Sequence, residues 1–233
     1  MSHTTSIWSP LRSPVGTAVS TAVVAAVMLG AAIAAYLNGT NAVVTELRSL
    51  AYPVVWIVVS LAAAVWIGRT VQGRPRRWRG IAVGGGYTLG IAWLSGLIGS
   101  TTGGFPPRIH AAPPGWGPIV LYDSGLIRLS IVPFKLIAYL ALGYVIYTLV
   151  AAHRGSIRAA VLGVVSCVSC TGPLLVAVVG AIGGTQATTA VATAGYDIAT
   201  VALVATFGLL VAVVARQQPT DRTDREATDR STR

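Results

Sequence analysis

The stretch AAVLGVVSCVSCTGPLLVAVVGAI, residues 159–182, decides the fold. It runs for 24 residues without a charge, and a helix needs ~20 such residues to cross a bilayer. It also holds the only two cysteines of the chain, Cys167 and Cys170, followed directly by Gly172-Pro173. Apolar runs of similar length stand on both sides of it, at about 15–37, 50–68, 80–98, 131–152 and 189–215. With the run itself taken as 159–184, these predict an all-α fold: a polytopic helical membrane bundle of about six transmembrane helices.

Composition agrees. The chain of 233 residues is 54% hydrophobic and only 10% charged, against about 25% charged residues in a soluble domain. No alternating pattern of the membrane-barrel type is present. The expected organisation is one six-helix domain over residues 1–215 and a polar tail over 216–233, in which Thr-Asp-Arg occurs three times. Mixed charge without apolar residues predicts disorder for that tail.

The formal net charge is +10. Most of it lies in short loops beside apolar runs, which is how orientation in a membrane is encoded. With the N-terminus inside, thirteen of the seventeen basic residues fall on the inner side, among them Arg69, Arg74, Arg76, Arg77 and Arg79. Arg48, Arg108, Arg128 and Lys135 fall outside. That split places the N and C termini in the cytoplasm and the chain in the cell membrane as a multi-pass protein. No basic patch with interleaved aromatics stands apart from the loops, so no nucleic acid is expected as a partner. The first run has a basic start and small residues near its end, like a signal peptide, but its apolar core exceeds the ~7–15 residues usual there. A retained helix is expected.

Gly80, Gly84, Gly86 and Gly90 give two small-xxx-small spacings, which suit close helix contact. Gly84-Gly85-Gly86 lacks the following Lys-Ser/Thr of a phosphate loop. Residues 99–130 carry five prolines and four glycines between 103 and 118 and read as turns rather than regular structure. Ile119–Leu129, interrupted by Asp123 and Arg128, fits a short interfacial or re-entrant helix.

Two ionisable residues fall inside apolar runs. Lys135 precedes His153 by eighteen residues and Asp197 precedes Arg216 by nineteen. At ~1.5 Å per residue, both lie ~27–29 Å from their inner boundaries, at the outer face of the membrane core. Either each reaches the interface separately, or they form an outer-face ion pair, Lys135 with Asp197, lining a vestibule.

Cys167 and Cys170 lie ~13–18 Å from the inner boundary at Arg158, near mid-membrane. On a helix, this spacing puts both sulfurs on one face. Two thiolates can hold one soft ion such as Cu(I), or close a disulfide. Pro173 removes a backbone donor and leaves the Ser169 carbonyl without its helical partner. Helices broken in this way build sites in transporters. The bland alternative is that Ser, Cys, Thr and Gly are small and line helix contacts.

Ser169-Cys170-Thr171-Gly172-Pro173-Leu174-Leu175, with Ala177, Gly180 and Gly183, resembles the first membrane helix of the mercury-transport membrane proteins. That family has adjacent cysteines on its first helix. Here two residues separate them and the helix is the fifth. The cysteine-plus-proline helices of transmembrane thiol–disulfide electron carriers are similar too, although those use cysteines on two helices. The resemblance covers about twenty residues of 233 and implies soft-metal or thiol handling.

Three functions therefore stay open. The first binds or moves a soft metal, with Cu(I) or another soft ion at Cys167 and Cys170. The second assembles with or anchors another membrane protein, or forms a homodimer, with the cysteines as packing. The third passes electrons through a dithiol and disulfide. Apart from that redox role no enzyme activity is expected, since no nucleophile–base pair stands out.

Overall fold

The computed structural model describes residues 13–39, 47–71, 77–110, 116–152 and 195–216. Five helices and four strands occur among them. The helices are α1 (Pro14–Gly39), α2 (Leu47–Thr70), α3 (Arg77–Leu94), α4 (Pro133–Ala152) and α5 (Gly195–Arg216). The strands are β1 (Ile98–Ser100), β2 (Phe105–His110), β3 (Ile119–Asp123) and β4 (Ile127–Ile131).

Among the described residues, four helices are long and apolar enough to cross a membrane: α1, α2 from Leu50, α4 to Ala151, and α5. They are compatible with an integral membrane protein. α3 is not among them: two arginines and five glycines dilute its 18 residues. The segment at 159–184 lies outside the described residues. The six-helix count therefore goes beyond what these elements establish.

The outward surface of α1 carries the physical argument for a bilayer. Val15, Val19, Val23, Val24, Val27 and Met28 are each 57–67% exposed. Water would penalise so continuous an apolar face, whereas lipid accepts it.

α2 packs between α1 and α4, and α3 packs along α4. The core between the helices holds Trp56, Ile67, Phe134, Ala138, Leu142, Val145, Leu203 and Phe207. α3 comes close to α4 because of glycine. A Cβ on Gly84 would stand 2.8 Å from the Gly143 carbonyl oxygen, and one on Gly143 would overlap Thr88 Oγ1. Gly80 leaves room for the Tyr147 ring. The spacing Gly80–Gly84 is thus used, and Thr88 extends it by one turn. Gly86 and Gly90 have nothing within 4 Å of where a Cβ would stand.

α3 ends in a Schellman turn. Gly96, at φ 75°, lets Leu97 N–H donate to Ala92 O at 2.9 Å and Gly96 N–H donate to Trp93 O at 3.1 Å. The chain passes at once into β1. At the other side of the sheet, one residue separates β4 from Pro133, which opens α4 where a missing N–H costs nothing.

The strands correct the all-α expectation. Residues 98–131 contain a four-stranded antiparallel sheet in the order β1-β4-β3-β2, where turns and a short helix were expected. β4 reads Ile-Arg-Leu-Ser-Ile, a period-two pattern, and β3 is rich in β-formers. The turn between them is built by Asp123 Oδ1, which accepts from Gly125 N–H at 2.9 Å, and by Gly125 at φ 84°. β2 forms one edge, with Pro106 and Pro107 in a bulge that shifts its register.

Register sorts the side chains by face. Ile98, Ile109, Val120, Tyr122, Ile127, Leu129 and Ile131 share one face with Ser100. Arg108, His110, Asp123, Arg128 and Ser130 share the other, with Phe105, Ile119 and Leu121.

Candidate functional site at the sheet end of the bundle

Where the sheet meets the bundle, residues from α2, α4, α5 and the segment before β3 converge. Tyr196 of α5 is the hub. Its ring lies 4.9 Å from that of Trp116, edge-on, and 5.9 Å from Tyr52, stacked. Trp116 also meets Phe134 edge-on at 5.3 Å, and Phe134 meets Trp56 at 5.5 Å. Trp56, 1% exposed, donates from Nε1 to Thr200 Oγ1 at 2.9 Å. Thr200 in turn donates to Tyr196 O at 2.7 Å. These contacts seat Trp116, and with it the base of the sheet, against α4 and α5, with α2 joined through Tyr52 and Trp56.

The charged groups lie around this aromatic cluster. Tyr52 Oη donates to Asp197 Oδ1 at 2.6 Å, and Arg48 Nη1 stands 3.7 Å from Asp197 Oδ2. Asp197 lies in the described part of α5, one residue after Tyr196. Lys135 Nζ lies 5.0 Å from the centre of the Tyr196 ring. Magnitudes rank these contacts. The Arg48 and Asp197 side chains are 78% and 51% exposed, and such a pair contributes about 0–1 kcal/mol. Each aromatic pair adds about 0.5–1.5 kcal/mol beyond its buried area. The rings hold the site together, and the charges decorate it.

Lys135 and Asp197 thus belong to one cluster, at the same end of the bundle. They meet through Tyr196: the acid engages Tyr52 and Arg48, the lysine the aromatic face. Cys167, Cys170, Gly172 and Pro173 lie outside the described residues. His110 ends β2 on the charged face of the sheet and is exposed. Among the described residues, no group of three or more His, Cys, Asp or Glu is placed to hold a metal ion. Sequence reasoning missed Tyr52, Trp56, Tyr196 and Thr200. The available signal was aromatic residues at the ends of apolar runs, where interfacial belts form.

Residues 1–217 match the model of DUF7546, a family of unknown function. The chain belongs to that family. No curated protein and no solved structure matches it. The DUF7546 match lends no likeness to the mercury-transport proteins or to the thiol–disulfide carriers.

Proposed function

We propose that this DUF7546 member is a non-catalytic assembly protein of the membrane. Its helices hold a small sheet at one membrane surface, and the sheet docks on another membrane protein. The segregation of the sheet's two faces carries this reading. One face collects seven apolar residues, of which Ile109 is 74% exposed, Ile127 51% and Tyr122 39%. The other takes both arginines and the histidine. An apolar face fixed this close to the bundle suits a partner that shares the membrane. The bundle is read as multi-pass, with α3 and the 159–184 segment as further spans and both termini cytoplasmic.

The test places benzoylphenylalanine at Tyr122 of the full chain in its native membrane. A protein adduct of one defined mass is expected on illumination, and Ile109→Asp should remove it. Adducts with lipid alone would refute the reading.

A soft-metal role is the second reading, favoured by Cys167-x-x-Cys170 before Gly172-Pro173. Cu(I) would bind near one ion per reduced chain and be lost in Cys167→Ser/Cys170→Ser, or bind at half an ion if two copies share a four-thiolate site. Redox cycling of the same pair predicts a reversible dithiol titration without metal.

A further inference from the structure

From Ile137, one turn into α4, to Arg69, in the last turn of α2, α1 and α4 stand apart over α2. Between them runs an open groove of about 660 Å³, within the ~300–1,000 Å³ range of ligand sites. Small residues make it: Ala64 and Gly68 on α2 and Ala141 on α4 form the hollow, with Leu61, Val65 and Leu140 as apolar walls. One end is polar. Arg69, in the last turn of α2, lines it with Tyr144, Thr17 and Thr21.

The two threonine hydroxyls donate to carbonyls of their own helix, Thr17 to Ser13 O and Thr21 to Thr17 O, both at 2.9 Å. The donors left at the polar end are the Arg69 guanidinium and the Tyr144 hydroxyl. Gly68 lets that hydroxyl approach α2, since a Cβ there would stand 2.5 Å from it. Among the described residues no acid pairs with Arg69.

We infer that this groove binds one anionic phospholipid, with its phosphate on Arg69 and an acyl chain along Leu61, Val65 and Leu140. Three observations support this occupant. The guanidinium fork matches phosphate oxygens. Leu61 and Arg69 are eight residues apart on α2, which is ~12 Å, close to the depth of one leaflet of a ~30 Å core. The groove opens sideways between helices that suit a bilayer, so a lipid enters without leaving the membrane. A soluble anion would use the polar end and leave the apolar walls empty.

Native mass spectrometry of the full chain, released from micelles containing equal phosphatidylglycerol and phosphatidylcholine, tests this. One retained phosphatidylglycerol per chain is expected. Arg69→Gln should weaken its retention about tenfold relative to phosphatidylcholine. Arg79→Gln removes a charge from the neighbouring basic run, outside the groove, and should change nothing. Thr21→Phe, which fills the groove, should lower retention of both lipids. Equal retention of the two lipids by the wild type would overturn the inference. So would Arg79→Gln acting as strongly as Arg69→Gln, since that outcome assigns binding to bulk charge. Full displacement by equimolar palmitate would reassign the groove to a free fatty acid.

Discussion

One methyl group at Gly143 would strike Thr88 across the α3–α4 contact. Overpacking of this kind costs about 1–3 kcal/mol. Gly143→Ala and Gly84→Ala should therefore lower the unfolding midpoint in mixed micelles and separate α3 from α4 in cysteine cross-linking. Gly86→Ala, on the open side of the same helix, should leave both readouts unchanged. At the sheet end the residues rank differently. Tyr52→Phe removes the short bond to Asp197 and should cost about 1 kcal/mol. Arg48→Ala removes a 3.7 Å ion pair between exposed groups and should cost about 0.5 kcal/mol or less. A thermal melt of the two variants side by side decides the order. Gly125, at φ 84°, tolerates no Cβ without strain of about 1–2 kcal/mol, so Gly125→Val should loosen the β3–β4 turn before anything else.

Elements differ in how openly the sequence announces them. Where the apolar runs fall on described residues they are helices, because length and lack of charge are enough for that reading, and α1 covers residues 14–39 against an expected 15–37; the 159–184 run lies outside the described residues. The sheet was hidden by its own punctuation. Pro106 and Pro107 argue against a strand, yet an edge strand tolerates them, since no neighbour needs their N–H groups. Asp123-Ser124-Gly125-Leu126 between two β-rich runs is the hairpin signal, although Asp123 equally fits a break in a short interfacial helix. Lys135 and Asp197 could be placed at one level by counting turns. Their partners could not, because Tyr52 and Tyr196 are 144 positions apart and meet only through packing. At this scale Trp116 is the coupling between sheet and bundle. Trp116→Ala should cost about 2 kcal/mol and raise amide exchange in β3 and β4 while α2 and α4 stay protected.

For the whole molecule, one set of helices carries two surfaces with opposite uses. The apolar outside of α1 suits lipid, and the sheet brings an apolar face to the end of the bundle. Chains confined to a membrane meet far more often than the same chains in solution, because confinement raises their effective concentration. An open sheet edge would then be a hazard: strands of neighbouring copies would pair, and pairing would propagate without limit. The two prolines of β2 act as chain terminators in that process. Successive residues of a strand face their N–H groups to opposite sides, so the pair removes at least one outward donor and bends the strand at its bulge, while β1 at the opposite edge is three residues long and offers little to pair with. Pro106→Thr/Pro107→Val should restore the donors and yield ladders of covalent oligomers on lysine cross-linking, with length rising as protein density in the vesicle rises. The proline pair, so misleading about the strand, thereby sets a ceiling on polymer growth in the plane of the membrane.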